Sequence, residues 1–379
     1  MDFAAGKLRN ENMKIIICGG GTGGHVYPAI AIADAIKKID PATDILFVGA
    51  KGKLEMEKVP KAGYPIVGLR ISGFQRKLTW QNLLFPIKLL SSWWKARQIV
   101  RRFRPHVAVG VGGYASGPTL NAAGAFGIPT LLQEQNSFPG VTNRLLAKRA
   151  AKICVAYEGM QRFFPKEKIA LTGNPIRAEF FKNLHEKRDE GLAYFGLEKN
   201  KHTIFLFGGS LGARTLNEAM AANAALLAEN KHVQVIWQCG KLYFDSFQLS
   251  ETAKLPNVKL QAFIDRMDLA YAAADLIIGR AGALTISELC LVGKPVILVP
   301  SPNVAEDHQT KNALALVESQ AALMVKDTHA KADLIKQALD VLNQQELVTR
   351  LGTNIARLAR HDAAEAIAKE VLRLAKQTT

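Results

Sequence analysis

Cysteine is scarce in the 379-residue sequence and scattered, at Cys18, Cys154, Cys239 and Cys290. No pair has the spacing of a metal site, and three of the four lie in or beside apolar, strand-like runs. That pattern excludes a disulfide framework and leaves buried, reduced thiols in a cytosolic protein. Asp-x-Asp is absent, and so is any His/Cys cluster with ligand spacing, so the sequence requires no divalent metal or other cofactor. Nor does any apolar run approach the ~20 residues that span a bilayer. The polar, mixed-charge start at 1–12 does not have the pattern of a secretory signal and is expected to be a flexible extension.

Acidic residues are missing from one long stretch: between Glu57 and Glu134 there is none, while Lys and Arg recur from Lys58 to Arg104. The whole chain carries a formal +16, which favours an anionic partner. Within the stretch, Phe74, Trp80, Leu84, Trp93 and Trp94 alternate with Arg76, Lys77, Lys88 and Lys95. Aromatics beside a basic face fit the interface of an anionic membrane. The alternative is a core-facing apolar stripe backed by a solvated basic face. Pro86 is expected to break or kink any helix here. No recognised nucleic-acid module accompanies the charge, so nucleic acid is not the expected partner.

What is abundant is short apolar runs, each followed by a turn and a helical pattern. In the first half they lie at 14–18, 44–48, 106–111, 130–133 and 152–155; in the second, at 203–207, 234–237, 258–260, 276–278 and 295–299. Runs that are apolar throughout, rather than alternating, indicate strands covered on both faces by helices. Alternation of strand and helix predicts an α/β fold with parallel, doubly wound sheets. The series happens twice, and each begins with a strand entering a glycine-rich turn and then a helix, at 15–24 and at 204–213. Two Rossmann-like domains are therefore expected, 13–176 and 177–361, with a cleft between them. The segment 362–379 reads as one amphipathic helix with Ala363, Ile367, Val371 and Leu374 on a stripe.

Several segments could carry chemistry. Glycines at 19–21, 23 and 24 let backbone approach a ligand, and the helix start behind them favours an anion. His25 ends that turn. It is either a packing side chain or a general base, a role for which a helix start favours the neutral imidazole. The second turn offers Ser210 and backbone amides to a diphosphate. After the run at 276–278, small residues lead into Ala283, Leu284, Thr285, Ile286, Ser287 and Glu288, which suit a nucleotide, with Glu288 either an acceptor for ribose hydroxyls or a solvated helix carboxylate. Gln133 to Asn136 puts four polar side chains at a strand end, where a sugar could satisfy them; capping of the adjoining loop is the alternative. Arg177 could neutralise a leaving group. A dinucleotide enzyme also wants an acid at the end of the second strand, and 47–52 has none.

Taken in order, these motifs resemble the MurG family of bacterial glycosyltransferases. They are Gly-Gly-Thr-Gly-Gly-His at 20–25, Gly-Gly-Tyr-Ala-Ser-Gly-Pro at 112–118, Glu-Gln-Asn at 134–136 and Gly-Asn-Pro-Ile-Arg at 173–177. Further on come Gly-Gly-Ser-Leu-Gly-Ala-Arg at 208–214, Phe-Ile-Asp at 263–265 and Gly-Ala-Leu-Thr-Ile-Ser-Glu at 282–288. The resemblance covers nearly the whole chain from Met13. It implies the glycosyltransferase B fold, with the last helix crossing back to the first domain. The implied donor is UDP-N-acetylglucosamine (UDP-GlcNAc), bound largely by the second domain: Ile264 at the uracil, Ser210 at the diphosphate, Glu288 at the ribose and Gln309 at the sugar. Thr22, Gly23, Gly24, Asn136 and Arg177 would complete that site. The implied acceptor is lipid I on undecaprenyl pyrophosphate, whose N-acetylmuramic acid 4-hydroxyl attacks with inversion to give a β-1,4 link and lipid II. His25 is the candidate base, Glu134 shares the candidacy, and Tyr114 is an acceptor contact. The family's place is the cytoplasmic face of the inner membrane, as a peripheral protein alongside other cell-wall synthesis proteins. Leu211 and Thr310 depart from the glutamines common in the family. Two other readings stay open: another UDP-sugar transferase acting on a lipid, and an NADP-dependent oxidoreductase, which would leave the second glycine turn unexplained.

Overall fold

The computed structural model describes residues 12–71, 85–176, 181, 183–209 and 211–377. They form two units. One comprises the described residues of Met1–Gln135, Pro139–Pro175 and Asp362–Thr379; the other comprises Asn136–Phe138 and Ile176–His361.

Among the described residues the first unit is built on β1 (Lys14–Cys18), β2 (Asp44–Ala50), β3 (Ile66–Leu69), β4 (Val107–Gly110), β5 (Thr130–Glu134), β6 (Lys152–Val155) and β7 (Ile169–Leu171). They make one parallel sheet in the order β3-β2-β1-β4-β5-β6-β7. The second unit carries β8 (His202–Phe207), β9 (Val233–Gln238), β10 (Val258–Gln261), β11 (Leu276–Gly279), β12 (Val296–Leu298) and β13 (Leu323–Met324), in the order β10-β9-β8-β11-β12-β13. Both sheets are parallel throughout, with β1 pairing Ile16 to Leu46 on one side and to Ala108 on the other. Ile15, Ile16 and Ile17 are all fully buried, so successive side chains enter opposite helical layers, as the unbroken apolar runs require.

The helix Ala363–Lys376 packs on the helix Gly23–Ile39 in the first unit, and its Ile367, Val371, Leu374 and Ala375 join the core of Ile15, Ile30 and Val109. Each such aliphatic side chain contributes roughly 1.5–3 kcal/mol by leaving water. Pro86 does not break the helix Phe85–Phe103. It sits in the first turn, where its missing N–H would have had no partner anyway.

In each sheet the strand order reverses direction beside a strand that feeds a glycine-rich turn: between β1 and β4, and between β8 and β11. Ligands of open α/β sheets bind beyond the strands' carboxyl ends at these reversals. Among the described residues, no helix is long and apolar enough to cross a membrane.

Candidate active site

In the first unit, β1 runs into Gly19, Gly20 and Gly21, all at positive φ (152°, 142° and 94°). A Cβ on Gly19 would strike Val111 and the Gly112 carbonyl, so the turn exists only with glycine there. Thr22 precedes the helix Gly23–Ile39 in extended conformation, and Gly23, Gly24 and His25 form its first turn. His25 is half-buried, with Nδ1 3.4 Å from the Thr22 hydroxyl. Its ring lies against Gly112, where a Cβ would come within 2.8 Å of it. The Ser116 hydroxyl, 3.0 Å from both the Cys18 and Gly112 carbonyl oxygens, ties the two turns together. Tyr114 stands at the rim, half-exposed. The structure thus gathers Thr22, Gly23, Gly24, His25 and Tyr114 at the carboxyl ends of β1 and β4.

Glu134 ends β5 and is buried. One carboxylate oxygen accepts the Asn143 amide at 2.9 Å and the Gly140 N–H at 3.3 Å, so it braces the segment entering the helix Val141–Leu146. Gln133 and Gln135 are also buried. Gln135 donates to the Val111 carbonyl at 2.7 Å and to the Gln133 side chain, and Gln133 donates to Asn174 at 3.1 Å. These amides satisfy one another and stiffen the strand end.

In the second unit, β8 enters a turn in which Gly212 has φ 78° and a Cβ would collide with the Cys239 carbonyl. The Gln238 side chain donates to the Gly209 carbonyl at 3.1 Å. Leu211, at the turn's tip, is 77% exposed, an open position for an apolar side chain. Ser210 and Arg177 lie outside the described residues.

Beyond β11, Gly282 caps the helix Ala283–Val292. Ala283, Leu284, Thr285 and Ser287 are half-buried while Ile286 points into the core. Glu288 accepts a hydrogen bond from the Tyr271 hydroxyl at 3.2 Å. Tyr271 itself packs edge-on to Phe205 and Phe207. Burial raises the Glu288 carboxyl to about 7, outweighing the tyrosine donor. The Tyr271 hydroxyl is pushed up too, by burial and by the neighbouring carboxylate. A carboxylate so poorly solvated has acceptor capacity left for incoming hydroxyls. Ile264 is buried, with Phe263 half-exposed beside it and Lys241 stacked over its ring at 5.3 Å.

Asn136–Phe138 belongs to this second unit and is held by Asn312, a fully buried residue that the sequence did not single out. Asn312 Oδ1 accepts the Ser137 N–H at 2.9 Å, and Nδ2 donates to Asn136 Oδ1 at 3.2 Å and to the Ala281 carbonyl at 3.3 Å. One side chain therefore links Asn136 to the lead-in of the Glu288 helix. Gln309, one turn earlier on the same helix His308–Glu318, accepts the Ser301 N–H at 2.9 Å. Thr310 donates to Asp307 at 2.7 Å, so this departure from the family pattern serves its own turn. Arg280 was also unforeseen; it donates to the Val299 and Pro300 carbonyls and pairs with Asp327, which accepts the Thr215 hydroxyl at 3.0 Å.

Of the proposed membrane-facing residues, Trp93 and Trp94 are 42% and 63% exposed, with Leu90 at 67% beside them. Arg97 stacks between Trp93 and Phe126. Lys95, expected to face a membrane, turns instead to the Gly68 carbonyl at 3.0 Å, and burial depresses its ammonium below the usual lysine range. Lys88 falls on the same helix, its side chain outside the described residues, and Phe74, Trp80 and Leu84 lie outside them altogether. Among the described residues no group of three or more His, Cys, Asp or Glu side chains could hold a metal ion.

Residues 15–155 match the glycosyltransferase family 28 N-terminal domain, and residues 203–371 match the family 28 C-terminal domain. The chain is 55% identical over 98% of both sequences to the UDP-N-acetylglucosamine–N-acetylmuramyl-(pentapeptide) pyrophosphoryl-undecaprenol N-acetylglucosamine transferase of Bacteroides fragilis. It is 56% identical to the Phocaeicola vulgatus protein of the same description, over 96% of this chain and 97% of that one. Among solved structures, MurG of Acinetobacter baumannii superposes with a TM-score of 0.79 at 28% identity, covering 95% of this chain and 99% of that one. A UDP-GlcNAc 2-epimerase of Neisseria meningitidis reaches 0.66 at 13% identity, covering 95% of this chain and 100% of that one, a likeness of fold alone.

Proposed function

The chain belongs to glycosyltransferase family 28, within it to the MurG-type N-acetylglucosaminyltransferases of peptidoglycan synthesis, and from that premise we propose how its own residues carry out the transfer. The reaction moves N-acetylglucosamine from UDP-GlcNAc to the 4-hydroxyl of N-acetylmuramic acid in lipid I, with inversion. The near full-length identity to curated transferases carries this reading.

The donor lies on the second unit, beyond the carboxyl ends of β8 and β11. Ile264 meets the uracil, and the ribose diol donates to Glu288, whose burial strips it of water. Ser210 and the backbone of the second glycine turn receive the diphosphate, and Arg177 offsets its charge. The start of the helix Ala283–Val292 adds a favourable dipole as UDP leaves. Gln309 and Asn136 orient the sugar. Asn136 is held for that task by Asn312.

In the first unit, His25 takes the proton from the attacking hydroxyl. Nδ1 faces the Thr22 hydroxyl at 3.4 Å, which helps to orient the ring. Glu134 is the weaker candidate, because its carboxylate is already engaged by Asn143 and Gly140. Thr22, which caps the helix Gly23–Ile39, and Gly23 and Gly24 in its first turn are the first unit's donor contacts, and Tyr114 contacts the acceptor. Leu90, Trp93, Trp94 and Arg97 form the face that rests on an anionic membrane, placing the protein at the cytoplasmic surface where its lipid acceptor resides.

The test is transfer of labelled N-acetylglucosamine from UDP to a short-chain lipid I analogue. A labelled product in the lipid fraction is expected. Its absence with a well-folded protein that binds UDP would defeat the reading.

A further inference from the structure

The first glycine turn has a partner that the reaction as described leaves unused. Glu55 opens the helix Glu55–Lys61 and is 1% exposed. Its Oε2 accepts the Gly21 N–H at 2.8 Å and its Oε1 accepts the Ala50 N–H at 2.8 Å. A Cβ on Gly20 or on Gly49 would collide with this side chain, so both glycines make room for it. The next amide back, Gly20 N–H, donates to the Gly112 carbonyl at 3.3 Å, and a Cβ on Gly113 would collide with the Gly20 carbonyl. With the Gly19 N–H on the Val48 carbonyl at 3.2 Å, three amides of the turn are thus committed inside the unit, one of them to a carboxylate. Glycine-rich turns of this kind ordinarily lend such amides to a phosphate. Here a phosphate at Gly21 would meet a like charge within a few ångströms, in a poorly screened place.

We propose that Glu55 is a positioning residue: its carboxylate acts as a built-in anion that locks the first glycine turn, closes Gly21 to diphosphate and sets His25 against Gly112 for proton transfer. The inference rests on His25 being the base. Gly21 is followed directly by Thr22, whose carbonyl accepts the His25 N–H at 3.1 Å and whose hydroxyl faces the imidazole. The Glu55 bond therefore fixes the path of the chain that fixes the ring.

The test uses full-length Glu55→Ala and Glu55→Gln. In Glu55→Ala, kcat is expected to fall about 100-fold, the scale of a misplaced reacting group. KM for UDP-GlcNAc and UDP affinity should stay within about twofold, since uniform binding is untouched. Sodium formate, small enough to enter the vacated space, is expected to restore part of kcat, and sodium chloride at equal ionic strength to restore none. Hydrogen exchange of the amides at 19–25 should quicken in the variant and slow again with formate. Glu55→Gln keeps the volume but turns an amide NH₂ toward one of the two backbone donors, so it should lose kcat with no recovery by formate. If the alanine variant is insoluble, the glutamine variant decides. Full activity in either variant, or kcat and UDP affinity falling together, overturns the proposal. If the wild type itself transfers no sugar, the functional reading fails separately; unchanged exchange at 19–25 in the variants would still overturn the lock on its own.

Discussion

Replacing Glu288 with Gln separates what the carboxylate does for the ligand from what it does to the fold. Its carboxyl rises from 4.5 to about 7 in the folded protein because burial strips water from the charge. At about 1.4 kcal/mol per tenfold change, holding the ionised form at pH 8 costs the unliganded protein ~3 kcal/mol. The folded state binds this proton more tightly than the unfolded chain does. The group's contribution to stability is therefore greatest below 4.5 and is lost as pH rises through about 7. Glutamine cannot ionise, and it can still accept from Tyr271. Glu288→Gln is thus expected to raise stability by about 1–3 kcal/mol at pH 8 and to leave it nearly unchanged at pH 4.5. UDP binding should move the other way, because the two ribose hydroxyls proposed to donate to this charge would meet a neutral amide. A loss of about 10- to 100-fold at pH 8 follows from charge-assisted bonds worth ~1.5–3 kcal/mol each. Wild-type affinity should weaken as pH falls below 7, and the variant's should be flat. Urea melts and titration calorimetry at three pH values measure both. A variant no more stable than wild type at pH 8, or one that binds UDP equally well, would refute the assignment.

Substitutions at neighbouring places test the rest of the account. His25→Ala should lower kcat by about 10²–10⁴ with UDP affinity retained in calorimetry, as expected for loss of a general base; a matching fall for Glu134→Gln at unchanged stability would shift the role to Glu134. Asn312→Ala leaves the buried Ser137 N–H without its acceptor, so stability should fall by about 1–3 kcal/mol and KM for the donor should rise as Asn136 loses its anchor. Trp93→Ser with Trp94→Ser should weaken sedimentation with anionic vesicles while leaving transfer to a detergent-soluble acceptor intact; full vesicle retention would return this face to an ordinary surface.

The runs most legible in the sequence were those that the fold buries on both faces. β1, β8 and β11 could be found because apolar side chains there face helices on either side. Of the four edge strands only β10 was found, at 258–260; β3 and β7 are four and three residues long, and β13 is two. Strands so short and half-covered carry too little apolar pattern to stand out. The glycine turns were legible because only glycine tolerates the backbone they adopt. Their partners were not. Glu55 reaches Gly21 across 34 positions and Asn312 reaches Ser137 across 175, and each reads locally as an ordinary polar residue on a helix. Glu134 and Gln133 announced themselves as polar groups at a strand end, yet the structure spends them on Asn143 and Asn174. Lys95 was read from its charge and its aromatic neighbours, which say nothing of the Gly68 carbonyl it finds.

Solved proteins of this architecture include one that epimerises UDP-GlcNAc, so the decisive question is the fate of the sugar. Incubation of the protein with ¹³C-labelled UDP-GlcNAc and a lipid I analogue, followed by nuclear magnetic resonance, answers it directly. A new β-anomeric signal coupled to C4 of the muramic acid residue, growing as UDP is released, is the expected result. Free N-acetylglucosamine, a manno-configured sugar or an α-linked product would contradict an inverting transfer.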